Sequence, residues 1–499
     1  MRRFVRTFLV VSLMATACGV SEGDSSSNDE ADASVEEAKA DASVEISADA
    51  SAWADASVWA DASVWADASM WPDASVSADS GTGGADGSVV GPGGSSGTLF
   101  LDTRSNYVEP SIATDAHGGI HVAFRAYTAV NGDYHVRYAY CASQCGRADS
   151  WTVTDIGVAG LNGAYPSLAL DAAGRPRVAW FGSDHWTGSN GAYWLARCEA
   201  GCSRRGNWTA GEVFQTNEGG PWGDRYFGID PNGSLVIVHR GPSSTRFASC
   251  SQNCTVAASW RQADLSNVRG YDIAVDFAGP GKPRVAFNRD GNIYYSECDG
   301  NCLNASSWSA RALFVLGWGG RFDLRSDRSG RPRMAIYEGD LGEAAQSEKT
   351  FYAWCNSGCT VSSAWSSARV PVVNRFAEEG IALAFDANNR PRIAGGIDNF
   401  SQSVHGLGLA SCDQSCESSS ARWRSTLVES TSDLEESLPV PLKPGCSISV
   451  WNVVGADVAL SLDPAGRPRL AYGVTHGQGG TCSVHDDVLL VRAAVLASP

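Results

Sequence analysis

Pro166-Ser-Leu-Ala-Leu-Asp171-Ala-Ala-Gly174-Arg-Pro-Arg-Val-Ala-Trp180 is the clearest copy of a phrase that recurs seven times between residues 99 and 499. Each copy is an apolar run, a tight turn and a second apolar run, which predicts two antiparallel strands joined by a hairpin. The turn reads Asp-x-x-Gly in six copies and Asp-x-x-Asn in the copy at Asp386. The carboxylate caps such a turn, and glycine supplies its positive φ. A turn role therefore explains the repeated aspartates better than catalysis or calcium binding. They are Asp115, Asp171, Asp230, Asp276, Asp327, Asp386 and Asp463.

A second phrase follows each of the first six copies and supplies paired cysteines. It consists of an aromatic-rich run, Cys-x3-Cys, and a tryptophan after five intervening residues, or six in the last copy. Exported chains keep disulfides, and closing so short a loop contributes about 2 kcal/mol in the chain-entropy model. Zinc is disfavoured because Cys-x2-Cys knuckles and nearby histidines are missing from the sequence. The predicted disulfides are Cys141–Cys145, Cys198–Cys202, Cys250–Cys254, Cys298–Cys302, Cys355–Cys359, Cys412–Cys416 and Cys446–Cys482.

The two phrases together predict an all-β fold. Each unit holds four short strands, which is the content of one β-propeller blade. The seventh unit lacks the Cys-x3-Cys and its outer strand, while an unassigned strand, Gly97-Thr-Leu-Phe-Leu-Asp102, precedes the first unit. Pairing that strand with the one around Val488–Val491 would close the ring and remove an exposed edge. We therefore predict a seven-bladed β-propeller over residues 99–499 whose last blade is closed by the N-terminal strand.

The repeated phrase resembles the sialidase-like, BNR-type propeller repeats of exported bacterial proteins. The resemblance rests on Pro166–Trp180 and its copies and spans residues 99–499. It implies the propeller fold. Sialidases, however, usually have six blades, and their Ser-x-Asp-x-Gly-x-x-Trp box is missing here. No catalytic residue of that family matches a position in this sequence, so none is assigned. The resemblance therefore leaves open whether the protein is an enzyme.

The N-terminal 18 residues have the layout of a signal peptide. Arg2, Arg3 and Arg6 form a positive region before a short apolar run. This run is too short to span a membrane as a helix. Ala15-Thr16-Ala17-Cys18 resembles a bacterial lipobox, with alanine where leucine is commoner. The resemblance implies cleavage before Cys18 and acylation of that cysteine, hence an extracytoplasmic protein anchored to a lipid membrane, at the outer membrane or the cell surface.

Residues 19–98 form an acidic, low-complexity segment. The unit Asp-Ala-Ser-Val-Trp-Ala recurs there, and the segment carries sixteen acidic residues against one lysine. Such a tract buries too little surface to offset the entropy of ordering, so a disordered stalk is predicted. It accounts for most of the formal net charge of −17 and leaves residues 99–499 close to −5. Nucleic acid is therefore not an expected partner, because phosphate binding needs a basic face.

The strand order of a propeller blade predicts where a ligand binds. The uniform 1–2 and 3–4 connections lie on one face of the disc and the variable 2–3 and 4–1 loops on the other, and variable loops usually carry function. Positions five to seven before each turn aspartate mark the central mouth on the variable face. These residues are Glu109, Tyr165, Arg225, Tyr271, Arg321, Glu379 and Asp457, and the loop residues His185 and Trp186 join them.

Three functions remain open on the sequence alone. Carboxylates, arginines and aromatic rings converging on one face favour a module that binds a glycan or a protein. A polysaccharide-acting hydrolase would instead need two carboxylates within about 10 Å, and a lyase a His-Tyr-Arg set. A structural envelope protein is the third possibility. We expect no metal and no cofactor, since phosphate-loop, HExxH and Gly-x-Ser-x-Gly motifs are missing, and we expect a monomer.

Overall fold

The computed structural model describes residues 97–496 apart from short gaps. The gaps are 106–107, 129–132, 160, 184–190, 222, 224, 318–319, 339–348, 371–379, 400–403, 419, 431–445, 449–452, 477 and 481–487. Over the described part the secondary structure is β-strand with single 3-10 turns, and no helix there is long and apolar enough to cross a membrane. The predicted signal peptide, Cys18 and residues 19–96 of the predicted stalk lie outside the described residues, whereas Gly97 and Thr98 begin the first strand.

The first three blades are four-stranded antiparallel sheets whose strands follow one another in the chain. Blade 1 contains β2 (Ser111–Thr114), β3 (Ile120–Thr128), β4 (Asp133–Cys141) and β5 (Thr152–Asp155). Blade 2 contains β6 (Asn162–Leu170), β7 (Pro176–Ser183), β8 (Gly191–Cys198) and β9 (Trp208–Thr216). Blade 3 contains β10 (Phe227–Ile229), β11 (Leu235–Arg240), β12 (Thr245–Cys250) and β13 (Arg261–Ser266).

The next three blades repeat this order. Blade 4 contains β14 (Ile273–Phe277), β15 (Pro283–Arg289), β16 (Asn292–Glu297) and β17 (Arg311–Val315). Blade 5 contains β18 (Arg321–Ser326), β19 (Pro332–Glu338), β20 (Lys349–Cys355) and β21 (Trp365–Val370). Blade 6 contains β22 (Ile381–Phe385), β23 (Pro391–Asn399), β24 (Val404–Cys412) and β25 (Trp423–Ser430).

The seventh blade joins the two ends of the chain. Its inner strands are β27 (Val453–Leu462) and β28 (Pro468–His476), followed outward by β30 (Val488–Val495) and β1 (Gly97–Ser105). Leu99 pairs with Ala493, and Asp102 pairs with Val491. The predicted seven blades and their closure by the N-terminal strand are confirmed. A two-stranded ribbon of β26 (Cys446–Ile448) and β29 (Gln478–Gly480) accompanies this blade.

The repeated aspartates cap hairpin turns, with one exception. In blade 2 the Asp171 carboxylate accepts hydrogen bonds from the backbone N–H groups of Ala173 and Arg175, both at 3.0 Å. In blade 4 the turn runs instead from Ala278 to Lys282. The expectation that Asp276 is a turn residue is therefore wrong: it lies two residues earlier, on the inner strand, because this blade has no aspartate at the turn itself.

The six Cys-x3-Cys segments form the predicted disulfides, each within its own blade: Cys141–Cys145, Cys198–Cys202, Cys250–Cys254, Cys298–Cys302, Cys355–Cys359 and Cys412–Cys416. Such bonds are typical of chains that fold outside the cytoplasm. The recurring tryptophan completes the unit: in the first copy, the Trp151 indole N–H donates to the Cys145 carbonyl at 2.9 Å. Trp423, displaced by one residue, has no acceptor among the described residues. Cys482 lies outside the described residues, so the pairing Cys446–Cys482 stays a prediction.

The second arginine of the Arg-Pro-Arg phrase is a buried part of the blade. In blade 5 the Arg333 guanidinium donates to the carbonyls of Pro332 and Cys355 and to the Asp327 carboxylate. Arginines in four other blades make the same bonds to the preceding proline and to the carbonyl at the end of the third strand: Arg177, Arg284, Arg392 and Arg469. A buried guanidinium requires this many acceptors, because an unpaired one would be strongly destabilising. The phrase thus ties the turn to the disulfide segment.

Candidate ligand-binding face

The inner strand of each blade runs from the variable face to the face that carries the Asp-x-x-Gly turns. We call the ends of these strands on the variable face the mouth, and the opposite side the turn face. Six of the seven predicted mouth residues are described. Glu379 belongs to the gap 371–379, and His185 and Trp186 belong to the gap 184–190.

Three of the predicted residues form one chain of hydrogen bonds across blades 7, 1 and 2. The backbone N–H of Glu109 donates to the Asp457 carboxylate at 3.3 Å. The Glu109 carboxylate in turn accepts from the backbone N–H of Tyr165 at 2.5 Å. Arg125, on the second strand of blade 1, donates to the other Glu109 oxygen at 3.3 Å and lies 3.9 Å from the centre of the Tyr134 ring. The sequence therefore identified the carboxylates here, but not their guanidinium partner.

The same three residues adopt an unusual backbone conformation. Glu109, Tyr165 and Asp457 have φ values of 40°, 52° and 51°, and Gly380 has φ of 99° on the inner side of blade 6. In blades 2 and 7 this point coincides with a break in strand register. Positive φ is energetically unfavourable for residues that have a Cβ atom, and such backbone strain concentrates at functional sites. Burial, together with the Glu109 carboxylate, raises the pKa of Tyr165 and keeps its phenol protonated.

The opposite half of the mouth holds a second network of alternating charges. The Arg225 guanidinium lies 3.7 Å from the buried Asp323 carboxylate, which also accepts from the backbone N–H of Leu383 at 2.8 Å. Arg321 lies 3.7 Å from the Asp272 carboxylate. Arg225 and Arg321 were predicted from sequence, whereas the two aspartates were not. Each mouth carboxylate of this network thus faces a guanidinium on another blade.

Tyr271 contacts a different group of residues. Its hydroxyl accepts from Arg289 at 2.8 Å, and the guanidinium carbons of Arg240 and Arg289 lie 4.5 Å and 5.1 Å from the centre of its ring. Asp272, its neighbour in sequence, faces Arg321 instead. The structure therefore gives Tyr271 an aromatic and cationic setting between blades 3 and 4, separate from the charge network of Arg225 and Arg321.

A central channel of about 550 Å³ is lined by the inner strands of all seven blades. Its charged lining residues include Arg225, Asp276 and Arg325. Burial raises the pKa of Asp276, whose carboxylate accepts from the backbone N–H of Ser326. Within the described residues no group of three or more His, Cys, Asp or Glu side chains is arranged to hold a metal ion.

Comparison with known proteins gives similarity at the level of the fold. No family model and no curated protein matches the sequence. The NanB sialidase of Streptococcus pneumoniae is 11% identical with a TM-score of 0.41, over 82% of this chain and 71% of that one. An ulvan lyase of a new polysaccharide lyase family is 11% identical with a TM-score of 0.48, over 81% and 95%. A protein of unknown function from Dyadobacter fermentans is 11% identical with a TM-score of 0.41, over 80% and 99%. These likenesses carry no argument about a ligand or an activity.

Proposed function

We propose that the propeller is an extracytoplasmic binding module whose mouth recognises a glycan. The observation that carries this proposal is the asymmetry of the mouth. Blades 7, 1 and 2 contribute the strained residues Asp457, Glu109 and Tyr165, whereas blades 3 and 5 contribute Arg225 and Arg321. A ring of seven similar blades that presents different side chains at one end is suited to a single asymmetric ligand.

The charges of the mouth favour a hydroxyl-rich ligand of low charge. Two of the mouth carboxylates are paired with guanidinium groups of the chain itself, Glu109 with Arg125 at 3.3 Å and Asp272 with Arg321 at 3.7 Å. Paired carboxylates and guanidinium groups present acceptors and donors side by side, and neighbouring sugar hydroxyls need both.

A glycan array probed with residues 19–499, followed by a turnover assay on every polysaccharide that binds, tests this function. We expect a defined set of glycans to bind and none to be cleaved. Cleavage of a bound polysaccharide would show that the propeller is an enzyme and not only a binding module. A blank array, together with normal folding of the protein, would favour a structural role in the envelope.

We further propose that Cys18 is acylated and anchors the propeller to a lipid membrane through the stalk. The proposal rests on the lipobox-like sequence before Cys18 and on the disulfides, which fit an exported chain. Metabolic labelling with a fatty acid is expected to mark the natural protein and not the Cys18→Ala variant, which should leave the membrane fraction. A Cys18→Ala variant that stays with membranes to the same extent would exclude this anchor.

A further inference from the structure

One blade departs from the arginine motif that the others share. Blades 2, 4, 5, 6 and 7 place a buried guanidinium behind the turn, where it bonds the preceding proline carbonyl. In blade 1 the equivalent phrase is Asp115-Ala-His-Gly-Gly-Ile-His121, so glycine replaces the first arginine and His121 the second. The shorter imidazole leaves the Asp115 carboxylate without a guanidinium partner among the described contacts.

A cavity of about 510 Å³ opens at this place on the turn face, between blades 1 and 2. Its walls include Asp115, His121 and Tyr140 from blade 1 and Arg175 and Glu199 from blade 2. The His121 and Tyr140 rings lie 4.7 Å apart and form its aromatic side. The cavity thus adjoins the position at which the other blades place the motif arginine, since Asp115 and His121 both line it.

The charges around the cavity favour a cation. His121 Nε2 lies 3.3 Å from Asp115 Oδ2, and its Nδ1 lies 2.6 Å from the Tyr138 hydroxyl. A neutral imidazole satisfies both contacts, with Nε2–H donating to the carboxylate and the phenol donating to Nδ1. Arg175 is engaged by two carboxylates, those of Asp171 and Glu199, each at 2.7 Å. Arg177 also contacts the Glu199 carboxylate, at 3.1 Å. The charge of Glu199 is therefore compensated within blade 2, whereas the Asp115 carboxylate has no guanidinium partner among the described contacts.

Blade 3 is an informative comparison, because it also lacks the arginine and has Val236 at that position. There the free oxygen of the turn aspartate, Asp230, accepts from the backbone N–H of Gly281 in the next blade at 2.5 Å. The missing guanidinium is thus replaced by a bond between blades. In blade 1 the corresponding oxygen of Asp115 instead lies 3.3 Å from the neutral imidazole of His121, and the cavity lies beside this contact.

We propose that this cavity binds a guanidinium group supplied from outside the chain, either by a free small molecule or by an arginine side chain of a partner protein. The incoming group takes the place of the arginine that blade 1 lacks. It meets the Asp115 carboxylate as its charged acceptor, while the Tyr140 ring supplies a face for stacking and cation–π contact. This function is independent of the mouth, which lies on the other face of the propeller.

Calorimetric titration of the mature protein with agmatine and with N-acetyl-arginine amide tests the proposal. Both compounds, or the peptide-like one alone, should bind at one site, and N-acetyl-citrulline amide, the neutral isostere, should not. Equal binding of both compounds identifies a small-molecule site, and binding of the amide alone identifies a site for a partner's arginine. Binding of the citrulline compound as tight as that of the arginine compound, or no binding of either arginine compound, would overturn the proposal.

Three variants and one matched control locate the site. His121→Arg restores the arginine of the other blades and should abolish binding while the protein stays folded, since blades 4 and 5 combine that arginine with a tyrosine at the Tyr138 position. Asp115→Asn keeps a turn-capping oxygen but removes the charge, and it should also abolish binding. It provides the test if His121→Arg fails to fold. Tyr140→Ala should weaken binding roughly tenfold, whereas the matched Tyr140→Phe retains the ring and the affinity. Binding that survives both His121→Arg and Asp115→Asn contradicts the assignment.

Discussion

The Arg333 guanidinium donates to the Asp327 carboxylate at 3.1 Å, and neither side chain is exposed to solvent. Arg331, on the same carboxylate, is 37% exposed. The two arginines of one Arg-Pro-Arg phrase therefore occupy different environments. The inner one satisfies backbone carbonyls of two strands, and the outer one caps the turn from the solvent side.

This difference predicts unequal effects of substitution. Arg333→Met should lower the free energy of unfolding by about 3 kcal/mol, because it leaves buried acceptors unpaired. Arg331→Met should cost less than about 1 kcal/mol, as expected for an exposed ion pair. Chemical denaturation of the two variants measures the difference. Equal losses of unfolding free energy in the two variants would show that burial of the Arg333 guanidinium does not determine its contribution to stability.

Removal of β1 should destabilise the ring. A chain beginning after residue 105 exposes β30 as a long apolar edge, which invites pairing between molecules. We expect a lower melting temperature and aggregation in size-exclusion chromatography. A chain that begins at residue 97 keeps β1 and is the matched control; it should behave as the full chain does. Monomeric, fully stable protein without β1 would contradict the closure role.

Substitutions at the mouth should separate binding from stability. Arg321, with a side chain 31% exposed, contacts Asp272 at 3.7 Å, so Arg321→Ala should abolish or weaken glycan binding while the melting temperature changes little. Tyr271→Ala should behave similarly. Asp171→Ala on the turn face should do the reverse and cost about 2 kcal/mol, because it removes the acceptor of two backbone N–H groups and of Arg177. Glycan-array binding and thermal unfolding of each variant measure these effects. Loss of binding in Asp171→Ala but not in the mouth variants would place the ligand site on the turn face.

Acid should destabilise the protein first through His239. Burial lowers the pKa of this imidazole to about 4, while the unfolded chain keeps the ordinary value near 6.5. Between these values the unfolded state binds more protons, so stability falls as the pH falls from about 6.5 to about 4, by roughly 3 kcal/mol in total. His239→Leu should flatten most of this dependence, measured as unfolding free energy against pH. The exposed His117→Leu serves as control and should leave it unchanged.

A later loss of stability should come from the turn carboxylates. Backbone N–H groups and arginines lower the pKa values of Asp171, Asp327, Asp386 and Asp463 against the opposing effect of burial. Their contribution is present above the unfolded value of 3.8 and is lost as the pH falls below it. The acid profile should therefore have two separate windows.

The fold was predictable from sequence because its repeat is local. Turn aspartates, glycines and Cys-x3-Cys pairs mark strand ends within each unit, so counting them gives the blades. The same reliance on aspartate misplaced the turn of blade 4, where Asp276 lies on the inner strand and Ala278 begins the turn.

The side-chain partners at the mouth were not predictable in this way. Glu109 meets Tyr165 and Asp457 only because three blades converge, and no spacing in the chain encodes that geometry. The positive φ of these residues could not be predicted from their residue types, since none of them is glycine. The altered motif of blade 1 did leave a signal, the histidine at position 121 in place of arginine.

The pairing of the first strand with the last also sets an order of assembly. Blades 1 to 6 each consist of consecutive strands and carry their own disulfide, so each can complete its sheet from nearby sequence. Blade 7 needs β1 from one end of the chain and β30 from the other. Contacts between such distant segments form slowly. The ring therefore becomes a closed unit only once the whole chain is available, and partly made molecules keep an open sheet edge until that final step.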